Sequence, residues 1–108
     1  MIATMAYPES GEIIVKVDRR IADLLPRFLA YCKSEAAEAR RAGASGDWAA
    51  ARRIGHTLHG AGGGFFLDGI SSWGAEIESA ARDANGAKLA SSVERLEDYL
   101  ERVRPTFE

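Results

Sequence analysis

His56 and His59 are the only histidines of the chain, and they lie one helical turn apart in residues 52–64. A histidine ring can act as a nucleophile that forms a covalent intermediate, so its surroundings decide its chemistry. On a helical wheel with about 100° per residue, an apolar set falls within roughly 40° of the pole opposite His56 (Ala51, Ile54, Leu58, Ala61 and Phe65). A polar and small set falls within roughly 60° of His56 (Arg52, Arg53, His59, Gly60 and Gly63). The pattern predicts an exposed His56 on a positively biased, sterically open helix face.

The residues before this segment predict a short helix over residues 18–25, started by Asp18, that bends at Pro26 into a longer helix over residues 26–43. Gly43 is the expected stop. Helical spacing predicts a buried stripe on the longer helix: Phe28 or Leu29, Cys32, Ala36 and Ala39.

Three further helices follow with short connections. Ser45 or Asp47 caps the histidine helix, and the glycines at 62–64 end it. Asp68 is expected to cap the third helix, and a turn over residues 83–86 leads to the last helix, which Pro105 closes. The apolar stripes comprise Ile70, Trp73, Ile77, Ala80 and Ala81 on the third helix, and Leu89, Val93, Leu96, Leu100 and Val103 on the last. Trp48, Trp73 and Phe28 are expected in the core.

Residues 13–17 are strand-like, but no second strand-like run is evident, so they are predicted to be an extended lead-in. Residues 1–12 are predicted to be a flexible segment. The expected fold is all-α: an antiparallel up-down-up-down four-helix bundle over residues 13–108, with a short extra N-terminal helix.

Composition excludes several functions. A net charge of −2 offers no basic field for nucleic acid. The N-terminal residues lack the cationic and apolar regions of a secretory signal, so none is expected, and no apolar run is long enough to cross a bilayer. The single cysteine fits a reducing compartment, so we expect a cytoplasmic monomer. Met1 favours a free-standing protein over a segment of a larger kinase.

Two histidines are too few ligands for zinc, and no phosphate-binding loop or hydrolase triad is present, so no metal or cofactor is expected in this chain.

The segment Gly55-His56-Thr57-Leu58-His59-Gly60 resembles the small-His-x-Leu-Lys-Gly signature of histidine phosphotransfer (HPt) domains. Four flanking segments are similar to the family pattern as well: residues 18–29 with their Leu-Pro, Gly46-Asp47-Trp48, residues 62–67, and Ile77-Glu78-Ser79-Ala80-Ala81. The resemblance covers nearly everything from residue 13 onward. Two positions depart from the pattern, because His59 replaces the usual lysine and Phe66 replaces a glycine.

The resemblance implies a bacterial phosphorelay protein that carries a phosphoryl group on His56. The partners would be response-regulator receiver domains, with a hybrid histidine kinase as a further candidate, and Mg²⁺ and the acceptor aspartate would belong to the receiver. Gly60 leaves space beside His56, and Arg52 and His59 are expected to share the role of the lysine. His59 can do so only when protonated, which a nearby phosphate dianion favours. Partners would dock over Arg53 and Gly63. The alternative is that both arginines are solvated surface residues, and for Arg53 the sequence favours that alternative.

Two other functions stay open. The missing lysine favours an HPt-like adaptor that binds a receiver or kinase without carrying phosphate, whereas the intact histidine argues against it. The third hypothesis is a helical bundle that dimerises and in which the exposed histidine has no chemical role.

Overall fold

The structure, a computed structural model, describes residues 11–107 of the 108-residue chain. Four helices form its body, with the bounds α1 Leu25–Ser45, α2 Trp48–Gly64, α3 Asp68–Arg82 and α4 Gly86–Arg102. Consecutive helices are neighbours and α4 packs back on α1, which closes a four-helix bundle. The connections of two or three residues place neighbouring helices antiparallel. The expectation for residues 1–10 concerns a part of the chain outside the described residues.

The first helix differs from its prediction at both ends. Residues Arg19–Ile21 form a single 3-10 turn instead of a helix over residues 18–25, and Asp18 caps that turn by accepting a 2.8 Å hydrogen bond from the backbone N–H of Arg20. Helix α1 then begins at Leu25, with Pro26 in its first turn, where a missing N–H costs nothing. It continues past Gly43 to Ser45, because Gly46 takes the left-handed conformation that ends the helix (φ 76°).

The other helix starts depend on short polar side chains. Asp47 caps α2 by accepting from the backbone N–H of Ala50, and Asn85 caps α4 by accepting from that of Lys88. The predicted cap of α3 is wrong, since Leu67 occupies the N-cap position and Asp68 is the first helical residue. Its carboxylate there still lies at the positive end of the helix dipole.

The predicted stripes form the core. Buried side chains come from all four helices: Phe28, Cys32, Ala36, Ala39, Ile54, Leu58, Ile70, Ile77, Leu89, Val93, Leu96 and Leu100 among them. The ring of Phe28 stacks on that of Phe65, with centroids 4.0 Å apart. Trp48 and Trp73 are only half-buried and pack against the core from its edge, so the prediction that they lie in the core is only partly correct. Burial raises the pKa of the Cys32 thiol to about 12, which leaves it protonated and unreactive at neutral pH.

The bundle carries a two-stranded parallel sheet, which the sequence analysis missed. Strand β1 (Ile13–Val17) pairs with strand β2 (Val103–Phe107), and Ile13 lies opposite Val103. Val103 was therefore wrongly assigned to the last helix, and Pro105 lies inside a strand instead of closing α4. Ile13, Val17 and Val103 are buried against the helices, so the sheet fastens the two ends of the described chain together. The fold is thus mainly, but not purely, helical.

Candidate functional site

His56 lies in the middle of α2, and its side chain is 74% exposed. The polar face predicted around it is confirmed, since Arg52, Arg53, His59, Gly60 and Gly63 are all exposed. On the opposite side of α2, Ala51, Ile54 and Leu58 are buried. The helix therefore turns its apolar residues to the core and presents an imidazole to solvent.

A carboxylate on the neighbouring helix orients this imidazole. The Oε2 atom of Glu78, on α3, lies 3.2 Å from Nδ1 of His56. The side chain of Glu78 is only 17% exposed, and its Oε2 also lies 3.7 Å from a guanidinium nitrogen of Arg82. A carboxylate accepts hydrogen bonds, so it favours a proton on Nδ1 of His56 and leaves the lone pair on Nε2. Nε2 is then the nucleophilic nitrogen.

His59 is held by α3 in a similar way. Its Nδ1 lies 3.0 Å from the carbonyl oxygen of Ser71 and 3.0 Å from the hydroxyl of the same residue. That hydroxyl donates in turn to the carbonyl oxygen of His59, at 2.8 Å. His56 thus contacts Glu78, and His59, which follows it on α2, contacts Ser71, which precedes Glu78 on α3. This reversed order is the one expected for two antiparallel helices. Both imidazoles are braced through Nδ1.

Glycines allow the two helices to approach closely enough for these contacts. A Cβ at Gly55 would lie 2.5 Å from the backbone nitrogen of Glu78 and 2.8 Å from the carbonyl oxygen of Gly74. A Cβ at Gly74 would lie 2.6 Å from the backbone nitrogen of His59. All three distances are shorter than a normal van der Waals contact, and the atoms contacted belong to the backbone, which cannot move aside. The helix spacing that sets the histidine contacts therefore depends on the absence of side chains at these positions.

Other residues of the face are open to a partner. Nothing lies within 4 Å of where a Cβ would stand at Gly60 or Gly63. Arg52 is exposed, and within residues 11–107 it makes no hydrogen bond or ion pair, so its guanidinium is available to an anion. Phe66 is 55% exposed at the end of the helix and has a positive φ of 61°, a backbone conformation that suits the glycine usual in HPt domains.

The predicted docking residue Arg53 lies on the flank of this face that borders α1. It lines a groove of about 370 Å³ between α1 and α2, which also contains Glu35 and Glu38. His56 contacts α3 on the other flank. The structure therefore groups His56, His59 and the two α3 residues that brace them, and it places Arg53 towards α1.

The sequence analysis missed the bracing residues as members of the site. Glu78 entered only as part of a family-like segment, and Ser71 and Gly74 did not enter at all. Their spacing carries a signal, because residues 71, 74 and 78 differ by three and four and so share one face of α3.

Within residues 11–107 there is no cluster of three or more metal-ligating side chains, and no helix in that range is long and apolar enough to span a membrane.

A comparison with protein families identifies the chain. The family model described as "Hpt domain" matches residues 23–106, which is most of the sequence. The chain therefore belongs to the Hpt domain family, whose members take part in histidine phosphotransfer within phosphorelays. Neither the curated proteins nor the solved structures contain a significant match to it. The match begins after strand β1, which lies outside the family region.

Proposed function

We propose that this protein carries a phosphoryl group on Nε2 of His56 between the aspartates of response-regulator receiver domains, or from a histidine kinase to a receiver. The observation that carries the proposal is an imidazole that is 74% exposed and has Nδ1 at 3.2 Å from a carboxylate. Such a ring offers its free nitrogen outward, fixed in direction by Glu78. The cytoplasm of a bacterial cell is the setting that we propose for this relay.

For the transfer itself, this chain has to supply only a correctly placed nucleophile and positive charge near the phosphoryl oxygens. Nε2 attacks the phosphorus of the receiver's aspartyl phosphate in line, the bond to the aspartate oxygen breaks, and the aspartate leaves as a carboxylate. The open surface at Gly60 gives the receiver's active site room to approach. Arg52 and His59 supply positive charge near the transferred oxygens. The receiver supplies Mg²⁺ and its own acidic residues.

An adaptor that binds receivers without carrying phosphate is the second candidate, favoured by the replacement of the family's lysine by His59. The two functions are separated by incubating the wild-type chain with a labelled, phosphorylated receiver. A carrier gains acid-labile, alkali-stable label as the receiver loses it. Binding of the receiver without any label on this chain would establish the adaptor instead.

Glu78 is expected to control the rate of phosphoryl uptake. In Glu78→Ala, the imidazole of His56 loses the acceptor at Nδ1, and we expect uptake to slow by about 10-fold to 100-fold, as for a lost hydrogen bond to a charged group. Glu78→Gln keeps an acceptor oxygen and is expected to recover part of the rate. Single-turnover transfer at saturating receiver measures this effect apart from docking.

Glu76→Ala is the matched control, because it removes a carboxylate from the same helix that pairs with Lys88 and does not contact His56. Equal rates for Glu78→Ala and Glu76→Ala would show that the carboxylate at 78 has no part in positioning His56.

His59→Lys is expected to speed phosphoryl uptake by at least about 10-fold at pH 8, because lysine carries a permanent charge and histidine carries one only when protonated. A histidine gains positive charge as the pH falls, whereas the charge of lysine stays constant, so the ratio of the variant rate to the wild-type rate should shrink towards pH 6. Taking this ratio at each pH cancels the pH dependence of the receiver. A ratio that stays at one across this range would contradict a charge-supplying role for residue 59.

A further inference from the structure

His59 is held by two different groups of one residue, and their chemistry fixes its protonation pattern. The carbonyl oxygen of Ser71 lies 3.0 Å from Nδ1 of His59 and can only accept a hydrogen bond. The hydroxyl of Ser71 has a single proton, and it points that proton at the carbonyl oxygen of His59, at 2.8 Å. The hydroxyl oxygen is therefore an acceptor towards Nδ1 as well.

Two acceptors converge on one ring nitrogen, so Nδ1 must carry the proton in the neutral ring. Nε2 then holds the lone pair, and within residues 11–107 it makes no hydrogen bond. A ring free in water has no such constraint and can place its proton on either nitrogen. The contact with Ser71 thus selects one of the two neutral forms and fixes the orientation of the ring on the same helix face as His56.

We propose that Ser71 is a positioning residue, which holds His59 in the Nδ1–H form and so makes Nε2 the atom that takes up a proton beside the phosphoryl group. The relevance to transfer rests on the proposed function of His56. Uptake of one proton from solvent at Nε2 converts the neutral ring into an imidazolium whose two N–H groups have separate tasks. Nδ1–H stays bound to Ser71, and Nε2–H is free to donate to a phosphoryl oxygen.

The charged and titratable groups around His59 fit this assignment. Arg52 and His56 share its face of α2, and Glu78 and Arg82 lie beside His56 on α3, the helix packed against this face. None of them forms a hydrogen bond or ion pair with His59. Ser71 is thus the residue of α3 that sets the direction of the ring.

Nitrogen NMR of the unphosphorylated, isotopically labelled chain tests the assignment directly. At a pH high enough for the ring to carry a single proton, the wild type is expected to show a protonated Nδ1 and an unprotonated Nε2 for His59. A protonated Nε2 would overturn the proposal. In Ser71→Ala the fraction in the Nδ1–H form is expected to fall at least about 2-fold, because one of two acceptors is lost. An unchanged fraction would show that the hydroxyl does not position the ring.

Ser72→Ala is the control, since its hydroxyl makes no hydrogen bond within the described residues, and it should leave the His59 signals unchanged. A double-mutant cycle tests the link to function: Ser71→Ala should slow phosphoryl uptake in the wild type and leave the rate of His59→Gln unaltered. Equal slowing in both backgrounds would mean that Ser71 acts only on the fold, and would overturn the proposal. If His56 took no label, the relay function would fail while the NMR result would still decide the form of His59.

Discussion

In His56→Gln, uptake of label from a phosphorylated receiver is expected to vanish, while the fold and receiver binding persist. An amide nitrogen is not nucleophilic, so no phosphorus–nitrogen bond can form at residue 56. The side chain is 74% exposed, so its replacement should change the free energy of unfolding by less than about 0.5 kcal/mol. Radiolabel transfer and urea unfolding of the same preparation measure both quantities.

His59→Gln is the matched control, because it changes the other exposed histidine of the same helix face. It should still take up label, although more slowly than the wild type. Label remaining on His56→Gln would move the acceptor to another residue and would contradict the assignment of His56.

Gly55→Ala is expected to destabilise the chain by about 2–3 kcal/mol, the upper range for overpacking a tight interior. The new methyl group would lie 2.5 Å from a backbone nitrogen of α3, so α2 and α3 would have to move apart. That movement would also lengthen the contact between His56 and Glu78. Urea denaturation should show a lower midpoint, and single-turnover transfer should be slower in the variant that remains folded.

Gly63→Ala provides the contrast on the same helix, since nothing lies within 4 Å of the position that its Cβ would take. Alanine is the better helix former, and the gain is expected to be about 0.5–1 kcal/mol. If both variants shifted stability in the same direction, close packing of α2 on α3 would not be the reason for glycine at residue 55.

The histidine face could be predicted from the sequence because it depends on one local periodicity. Each residue of a helix is rotated by about 100° from the one before it, so Leu58 lies on the core side and the next residue, His59, lies on the surface. The apolar stripes of α1, α3 and α4 follow from the same rule. The helix ends were less predictable: Gly43 and Gly46 both suit a helix stop, and only the conformation at Gly46 decides between them.

The paired terminal strands could not be found from local patterns. Ile13 and Val103 are separated by most of the chain, and parallel strands need no turn signal between them. Proline at residue 105 argued for a helix end, and indeed no helix continues there. A strand edge accepts proline as readily, and the alternation of Val103, Pro105 and Phe107 was the available clue.

The bracing contacts depend on how α2 and α3 pack, which no single-helix pattern reveals. Glu78 and Ser71 are ordinary polar residues of an amphipathic helix until its neighbour is in place. The small residues Gly55 and Gly74 set the spacing, and their effect appears only when both helices are considered together. The nitrogen atoms through which the two histidines are held are therefore a product of tertiary structure.

The most direct measurement is nitrogen and phosphorus NMR of the labelled wild-type chain after it has been phosphorylated by a receiver. We predict one phosphorus–nitrogen bond, at Nε2 of His56, with Nδ1 of the same ring still protonated towards Glu78. A phosphoryl group at Nδ1 of His56, on His59 or on a carboxylate would contradict His56 Nε2 as the carrier.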